Sequence, residues 1–185
     1  MRKLIFLLFA SLLFLGCISN PNSHIKKADA LFEEFRVLDV RLNQTTENFD
    51  SLMENRTYDQ AQIKLTELIS IESQRSLALN SLCDYLKTNQ STLISEGMDL
   101  NELRFGLKKC DAFVADSVCV QKWNSVEQLQ LQILIKIKQN ASYSHLCPSY
   151  LASILVADTY CSSVYQNHSA FLGNYESFGQ SILCS

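Results

Sequence analysis

Glycine and proline are scarce in this chain of 185 residues, which contains only five glycines and two prolines. Both residues mark turns and interrupt regular structure, so their scarcity fits long helices joined by short turns. The chain also lacks an internal repeat, a low-complexity tract and a long linker. Its length is enough for one domain with a real core or for two small helical units.

The sequence motifs of common catalytic and metal sites are missing too. H-E-x-x-H, C-x-x-C, G-x-S-x-G, the P-loop and G-x-G-x-x-G are all absent. No carboxylate lies three residues before His24, His145 or His168, so the E-x-x-H pairs of di-iron bundles are absent. His145 with Cys147, and Cys161 with His168, could supply metal ligands, but oxidised cysteines are the favoured interpretation. We therefore predict a protein that is not an enzyme, with no metal and no cofactor.

Positive charge is in short supply as well. The chain has 16 Lys and Arg against 19 Asp and Glu. Without residues 1–16, which hold two of the basic residues and no acidic one, the net charge is 14 − 19 = −5. A mildly acidic chain without a basic cluster is a poor phosphate binder, so nucleic acid is not an expected partner. Any membrane contact should come from an anchor rather than from charge.

What the chain does have begins with an apolar stretch at its N-terminus. Arg2 and Lys3 precede residues 4–15, which are apolar apart from Ser11. This is the layout of a secretory signal peptide. The run is shorter than the roughly 20 apolar residues of a comfortable membrane span. An uncleaved anchor extending to Ile18 is the alternative.

The end of this stretch, Phe14-Leu15-Gly16-Cys17, resembles the lipobox of bacterial and archaeal lipoproteins. The resemblance implies that residues 1–16 are removed and that Cys17 becomes the first residue and carries a lipid. Residues 17–23 would then be a short tether, and the protein would be anchored to the outer face of the cytoplasmic membrane or to the cell surface. The open alternative is ordinary cleavage after Ser19, because residues 17–19 form a small-x-small site.

Six further cysteines remain once Cys17 is assigned to the lipid. An even number outside the cytosol predicts three disulfides, for which 15 connectivities are possible. The alternative is that some are free buried thiols. The six are Cys83, Cys110, Cys119, Cys147, Cys161 and Cys184.

The expected heights of the cysteines along antiparallel helices select one connectivity. Around a turn at Gly97, Cys83 lies 14 residues before and Cys110 lies 13 residues after, so both should lie at one height. Cys119 and Cys147 flank one helix and should be too far apart to pair. An up-down continuation places Cys119 and Cys161 at one end of the bundle and Cys147 and Cys184 at the other. The predicted disulfides are Cys83–Cys110, Cys119–Cys161 and Cys147–Cys184.

The clearest helical pattern is an apolar seam over residues 28–52, within a predicted helix at about 24–54. It has two interpretations: a coiled coil that recruits a protein partner, or a face buried against the chain's own next helix, which we favour. The seam consists of Ala28, Leu31, Phe35, Leu38, Leu42, Thr45, Phe49 and Leu52.

Further helices are predicted along the rest of the chain. Thr57 with Gln60 forms a capping box for the second helix, whose seam is interrupted by Glu72 and Ser76. Residues 126–137 are ambiguous, because their apolar residues fit both strand alternation and a helical stripe; we predict a helix, since no other segment offers a partner strand. The predicted ranges are about 58–94, 99–116, 120–139, 148–166 and 170–182.

Two sets of residues are candidates for contacts or modification. Trp123, Tyr150 and Tyr160 belong to an aromatic-rich final third of the chain, which could line a ligand pocket, although filling the core between the last three helices is the favoured interpretation. Five N-x-S/T sequons are possible glycosylation sites if the host has the machinery. They are Asn43, Asn55, Asn89, Asn140 and Asn167.

Together these patterns predict an all-α protein, an antiparallel up-down bundle of five or six helices stapled by disulfides over residues 24–185. Residues 24–95 would form a long helical hairpin, and residues 99–185 would carry the cysteine- and aromatic-rich helices. The predicted function is that of an exported cell-surface lipoprotein that acts in protein interaction or envelope structure. The alternative is a module that binds a small molecule or peptide in the aromatic-rich C-terminal half.

Overall fold

The computed structural model describes residues 23–175 and 182–184, so the predicted signal peptide and Cys17 lie outside the described residues. All regular structure in the described part is helical. The six α-helices are α1 (Ser23–Glu54), α2 (Tyr58–Thr88), α3 (Gln90–Ser95), α4 (Leu100–Lys138), α5 (Cys147–Asn167) and α6 (Ser169–Leu172). Two 3₁₀ turns lie at Ser144–Leu146 and Ile182–Cys184.

Four of these helices are long and pack antiparallel to their neighbours. α1 packs on α2, α2 packs on α4, and α4 packs on α5. With 39 residues, α4 is the longest helix and spans about 58 Å at 1.5 Å per residue. The prediction of an all-α antiparallel bundle is confirmed: the described part of the chain has six α-helices, of which four are long.

The main correction concerns α4, which was predicted as two helices separated at residues 116–119. The structure shows one continuous helix through this stretch. Asp116 and Ser117 are polar but buried, and the Ser117 hydroxyl donates to the Val114 carbonyl at 2.9 Å. The polar residues that suggested a break face the interior, and residues 116–119 include neither glycine nor proline to stop the helix.

Residues 126–137, the ambiguous stretch, are helical as predicted. Leu131 joins a cluster with Leu65 and Leu68 of α2, whereas Ile133 joins Tyr150 of α5. Because this helix packs on two neighbours, apolar residues occupy more than one stripe, and the pattern imitates the alternation of a strand.

The helix caps agree with the sequence at one position and disagree at another. The Asp99 carboxylate accepts from the backbone N–H of Asn101 at 2.7 Å and of Glu102 at 3.0 Å, at the predicted start of a helix near residue 99. The capping box at Thr57 is wrong: its side chain makes no cap bond and donates instead to the Leu52 carbonyl, at the end of α1.

Two helix ends also differ from the prediction. α2 ends at Thr88 rather than near residue 94. At this end, the Asn89 side chain donates to the Tyr85 carbonyl at 2.9 Å. The separate short helix α3 then ends before Gly97, whose φ of +107° suits glycine. The predicted final helix begins with α6, but residues 173–175 are not helical, and residues 176–181 lie outside the described part.

The apolar seam of α1 is buried within the chain's own fold. Phe35 contacts Ala78 and Leu79 in one core cluster, and Leu42 and Phe49 join Leu65 in another. The favoured interpretation of the seam, packing against the next helix, therefore describes the structure.

Three disulfides link the helices, in the pairs that the helix heights predicted. The Cα–Cα distances are 5.6 Å for Cys83–Cys110, 5.3 Å for Cys119–Cys161 and 5.5 Å for Cys147–Cys184. Because α4 is continuous, the Cys119–Cys161 bridge joins α4 and α5 midway along α4 rather than at an end of the bundle.

Candidate functional site

A cluster of buried charged side chains lies between α1 and α2, in the middle of the bundle. Arg75 of α2 donates from Nε to Asp39 Oδ1 at 2.6 Å and from Nη1 to Glu72 Oε1 at 3.3 Å. Its guanidinium also lies over the Phe35 ring, 5.0 Å from the centroid. The side chains of Arg75 and Glu72 are only 9% and 1% exposed, so this cluster replaces solvation with direct partners.

A cleft of about 140 Å³ opens beside this cluster, where all four long helices come close. Residues from distant parts of the sequence therefore meet in one partly open cavity. Its lining comprises Asp39, Leu42, Asn43, Arg75, Phe113, Asp116, Cys119, Val120, Trp123, Tyr165 and Tyr175.

Aromatic side chains form one side of the cleft. Trp123 comes from α4, Tyr165 from α5 and Tyr175 from the segment after α6. The Tyr165 and Tyr175 rings are tilted, with centroids 5.4 Å apart. The Tyr175 hydroxyl donates to Asp158 Oδ1 at 3.0 Å, so this last aromatic is held in place by α5.

The Tyr175 phenol is strongly perturbed. Burial and the adjacent Asp158 carboxylate raise its pKa to about 12, although a hydrogen bond from Trp123 acts in the opposite direction. Both main causes disfavour the phenolate. Tyr175 therefore remains a neutral hydrogen-bond donor throughout the physiological pH range.

Two carboxyl groups also line the cleft. Asp39 enters from α1 and Asp116 from α4, and Asp116 is 8% exposed. The neighbouring Cys119 is bridged to Cys161, which fixes α4 against α5 one helical turn from Asp116. The continuity of α4 therefore sets the relative positions of Asp116, Cys119 and Trp123 along one helix.

The structure separates the three aromatic residues that the sequence grouped. Trp123 lines the cleft, but Tyr150 is 2% exposed in a core cluster with Val126 and Ile133. Tyr160 lies under the Lys122 ammonium, 5.0 Å from its ring centroid. Neither Tyr150 nor Tyr160 is among the residues that line the cleft.

The five sequons are placed unequally. Asn55, Asn140 and Asn167 are exposed at or just beyond helix ends. Asn43 is partly buried and lines the cleft, and Asn89 is partly buried, with its side-chain amide donating to the Tyr85 carbonyl. The three exposed asparagines are thus the more accessible of the predicted acceptors.

A second cavity of about 170 Å³ lies between α2 and α4, and it has fewer types of side chain that could recognise a ligand. Its lining contains no charged or aromatic residue and consists of Gln62, Leu65, Thr66, Gln128, Leu131 and Gln132. Within residues 23–175 and 182–184, no group of three or more His, Cys, Asp or Glu side chains is arranged to hold a metal ion. No helix in the same ranges is long and apolar enough to cross a bilayer.

Sequence reasoning missed Asp39, Arg75 and Asp116 as site residues. A partial signal was present, because Glu72 interrupts the α2 seam and proves to be a partner of Arg75. Asp39 and Arg75 are 36 residues apart in sequence, and only the pairing of α1 with α2 brings them together. Asp116 was interpreted as part of a break between helices.

No protein-family model matches this chain, and neither the curated proteins nor the solved structures yield a significant match to it. The architecture and the cleft are therefore the basis for assigning a role. Three disulfides in one helical domain suggest an oxidising, extracytoplasmic compartment.

Proposed function

We propose that the protein is an exported, lipid-anchored cell-surface protein that binds a small ligand in the cleft between its four long helices. Its role is binding rather than catalysis. The observation that carries the proposal is the cleft itself, in which buried charged groups converge with aromatic side chains from α4, from α5 and from the segment after α6. A cavity with a few convergent polar groups on an otherwise apolar and aromatic wall is the usual form of a small-molecule site.

The energetics of the cleft support a binding role. Burying Arg75, Glu72 and Asp116 is expensive, and apolar residues of similar volume would often stabilise a fold as well or better. In a small domain such groups are retained more readily where they serve a site. Disulfide Cys119–Cys161 then holds two walls of that site together.

The lipid anchor is supported by the lipobox-like Phe14-Leu15-Gly16-Cys17 and by the start of the fold close behind it. The first backbone amides of α1, those of His24 and Ile25, donate to Glu96 Oε2 at 3.1 Å each. The chain thus enters the bundle at a fixed point six residues after Cys17. Six residues span roughly 20 Å at most, so an anchored bundle would lie close to the membrane.

Ligand binding is tested through Trp123, the single tryptophan of the chain, whose emission reports on the cleft without a label. The oxidised protein, purified from the host membrane in a non-ionic detergent, is titrated with small organic cations, carboxylates, phosphates and neutral molecules. We expect at least one class to change the emission saturably and to raise the melting temperature. Native mass spectrometry of the same preparation identifies any ligand that is retained. A folded protein that responds to no class would refute the binding proposal.

The anchor has its own test. Intact mass of the membrane fraction, compared with a Cys17→Ser variant, should show a chain that begins at Cys17 with an added lipid mass. The variant should lose that mass and leave the membrane fraction. An attached signal, or a chain that begins after Ser19 without lipid, would refute the anchor while leaving the cleft untouched.

A second candidate function, protein interaction or a structural role in the envelope, is favoured by the outer face of α5. Leu151, Leu155 and Val156 are 45%, 67% and 55% exposed. Asp158 is the only charged residue of this helix, and its carboxylate accepts from Tyr175. The seam of residues 28–52 is covered by the chain itself, so this surface suits a protein partner better than the seam does. Cross-linking at Leu155, replaced by a photoreactive residue in the host, should capture a discrete partner if this role is correct, and a matched replacement at Ile63 should not.

A further inference from the structure

We infer that the ligand of the cleft is a small organic cation of the alkylammonium type, held between the aromatic rings of Trp123, Tyr165 and Tyr175 and the carboxyl groups of Asp39 and Asp116. This inference rests on the proposed binding function and adds the chemical class of the ligand. It is carried by the charge, the aromatic surface and the size of the cleft, three properties that are independent of one another.

The distribution of charge favours a cation. Two carboxyl groups, Asp39 and Asp116, line the cleft, and a third, Asp158, holds the Tyr175 hydroxyl at its rim. A fourth, Glu72, lies behind them on Arg75. Among the described residues that line the cleft, one guanidinium thus stands with two carboxyl groups, and Asp158 and Glu72 are bonded to lining residues. In a low-dielectric cleft, the excess of carboxyl groups produces a negative potential, which attracts cations and repels anions.

Arg75 is poorly placed to recruit an anion. Its Nε and Nη1 atoms already donate to Asp39 and Glu72, and its face is covered by Phe35. An anionic ligand would have to compete with two carboxylates for this guanidinium. The nearest lysine in sequence to the aromatic wall, Lys122, has its ammonium over Tyr160, which does not line the cleft.

The aromatic wall supplies the second half of a cation site. The face of an aromatic ring carries negative potential, and ammonium groups bind to it most strongly when they are desolvated. The Tyr165 and Tyr175 rings both line the cleft and lie at 52° to each other with centroids 5.4 Å apart, in a tilted contact rather than a flat stack. The chain uses this interaction elsewhere, with Lys109 4.6 Å from the Phe105 centroid.

The size of the cleft suits a small molecule. Its volume of about 140 Å³ is similar to that of cavities of about 150 Å³ that accept a molecule as large as benzene. Tetramethylammonium and choline are of this order, whereas a peptide is not. A ligand of this class could place its charge among the rings while a substituent extends toward solvent.

Choline and its uncharged isostere 3,3-dimethylbutan-1-ol provide the direct test, because they share shape and differ in charge. Trp123 emission is followed as each is added to the oxidised protein from the host membrane. We expect choline to bind saturably and the isostere to bind at least about tenfold more weakly. Butylammonium should also bind, while acetate and phosphate at the same concentration should leave the emission unchanged.

Paired variants separate the site from a general effect of charge or of aromatic content. Asp116→Asn should weaken choline binding by roughly tenfold or more, whereas Asp111→Asn, an exposed change of the same charge on the same helix, should leave it within about twofold. Tyr165→Leu should weaken binding, and Tyr143→Leu, which changes a tyrosine outside the cleft lining, should not. Melting temperatures show whether each variant keeps its fold. If Tyr165→Leu does not, Tyr165→Phe takes its place; it keeps the aromatic ring and should bind like the parent.

The outcomes distinguish this inference from the proposed function. Equal binding of choline and its isostere, or preferential binding of an anion, would overturn the cation assignment and leave a ligand-binding cleft. An equal loss in Asp116→Asn and Asp111→Asn would also overturn it, since the effect would then be one of net charge. A folded protein with no response to any molecule would refute both proposals.

Discussion

The two helical hairpins of this protein are held together by different means. The hairpin of α1 and α2 has no disulfide between its helices and depends on an apolar seam with a buried ion cluster at its centre. The hairpin of α4 and α5 is bridged directly by Cys119–Cys161, and its outer helix has a single charged residue. Two helices that are held by packing alone need complementary side chains along their whole contact. Two helices that are also joined by a disulfide need fewer specific side-chain pairs.

The difference also shows how the cleft is assembled. The first hairpin contributes the charged side, Asp39 and Arg75, and the second contributes Asp116 and the aromatic side. Cys83–Cys110 joins α2 to α4 and hence one hairpin to the other. The site is therefore bounded by one wall that is fixed covalently and one that is fixed by packing and ion pairs.

The largest expected effect is on the packed hairpin, from Arg75→Met. The change keeps much of the side-chain volume but leaves Asp39 and Glu72 without their cation, which should cost about 3–5 kcal/mol of unfolding free energy. Urea denaturation of the oxidised protein measures it. Arg36→Met is the matched control, because its pair with Glu33 is exposed to solvent and its loss should leave the stability nearly unchanged. Similar losses in the two variants would show that the buried cluster does not hold the hairpin.

The covalent hairpin should be less sensitive to side chains and more sensitive to its crosslink. Replacing Cys119 and Cys161 together by serine opens a loop of 42 residues and should lower the unfolding free energy by roughly 2–4 kcal/mol. Hydrogen exchange should show the loss first in α4 and α5, with α1 and α2 less affected. Faster exchange confined to α1 would contradict the division between the hairpins.

A smaller effect is expected at the junction of the hairpins, where Asp99 caps α4. Asp99→Ala removes two hydrogen bonds from backbone amides and should cost about 1 kcal/mol. Asp111→Ala, within the same helix, breaks only an exposed contact with Lys87 and should change stability by less than about 0.5 kcal/mol. Thermal denaturation of both variants measures the difference, and equal shifts would argue against the cap.

The smallest effect is a titration at the aromatic wall. The pKa of Tyr175 is raised to about 12, so its phenol should ionise well after an ordinary tyrosine. Because the folded pKa lies above the unfolded one, its contribution to stability is complete below about pH 10 and is lost as the pH rises toward 12. Ultraviolet difference titration of the parent against Tyr175→Phe measures this group, and a step near pH 10 would show that the phenol is not held by Asp158.

The sequence predicted the helices best where a single apolar stripe faces a single neighbour. α1 has such a stripe, and its predicted range of about 24–54 matches Ser23–Glu54. Prediction failed in α4, which packs on both α2 and α5, because its apolar residues spread over two faces and its buried polar residues resembled a break. The capping box at Thr57 was predicted wrongly for a local reason. Its hydroxyl could bond either with the start of α2 or with the end of α1, and it bonds with the Leu52 carbonyl at the end of α1.

The Cys83–Cys110 pair was predictable because it depends only on the spacing of the two cysteines from the turn and on antiparallel direction. Cys83 and Cys110 are nearly equidistant from the turn at Gly97, and this stays true wherever the helices sit in the bundle. The aromatic site was not predictable in the same way. Whether Tyr150 or Tyr165 faces a cavity depends on the rotation of α5 against α4, and both faces of α5 carry aromatic residues.

By itself, the sequence determined the helical class, the extent of α1 and the pairing of Cys83 with Cys110, because periodicity, turn residues and spacing act along the chain. The tertiary structure alone decided that Asp39, Arg75, Asp116 and Trp123 share one cleft. The physical reason is that a helix presents every residue to some direction, and only packing against several neighbours at once fixes which polar groups are buried.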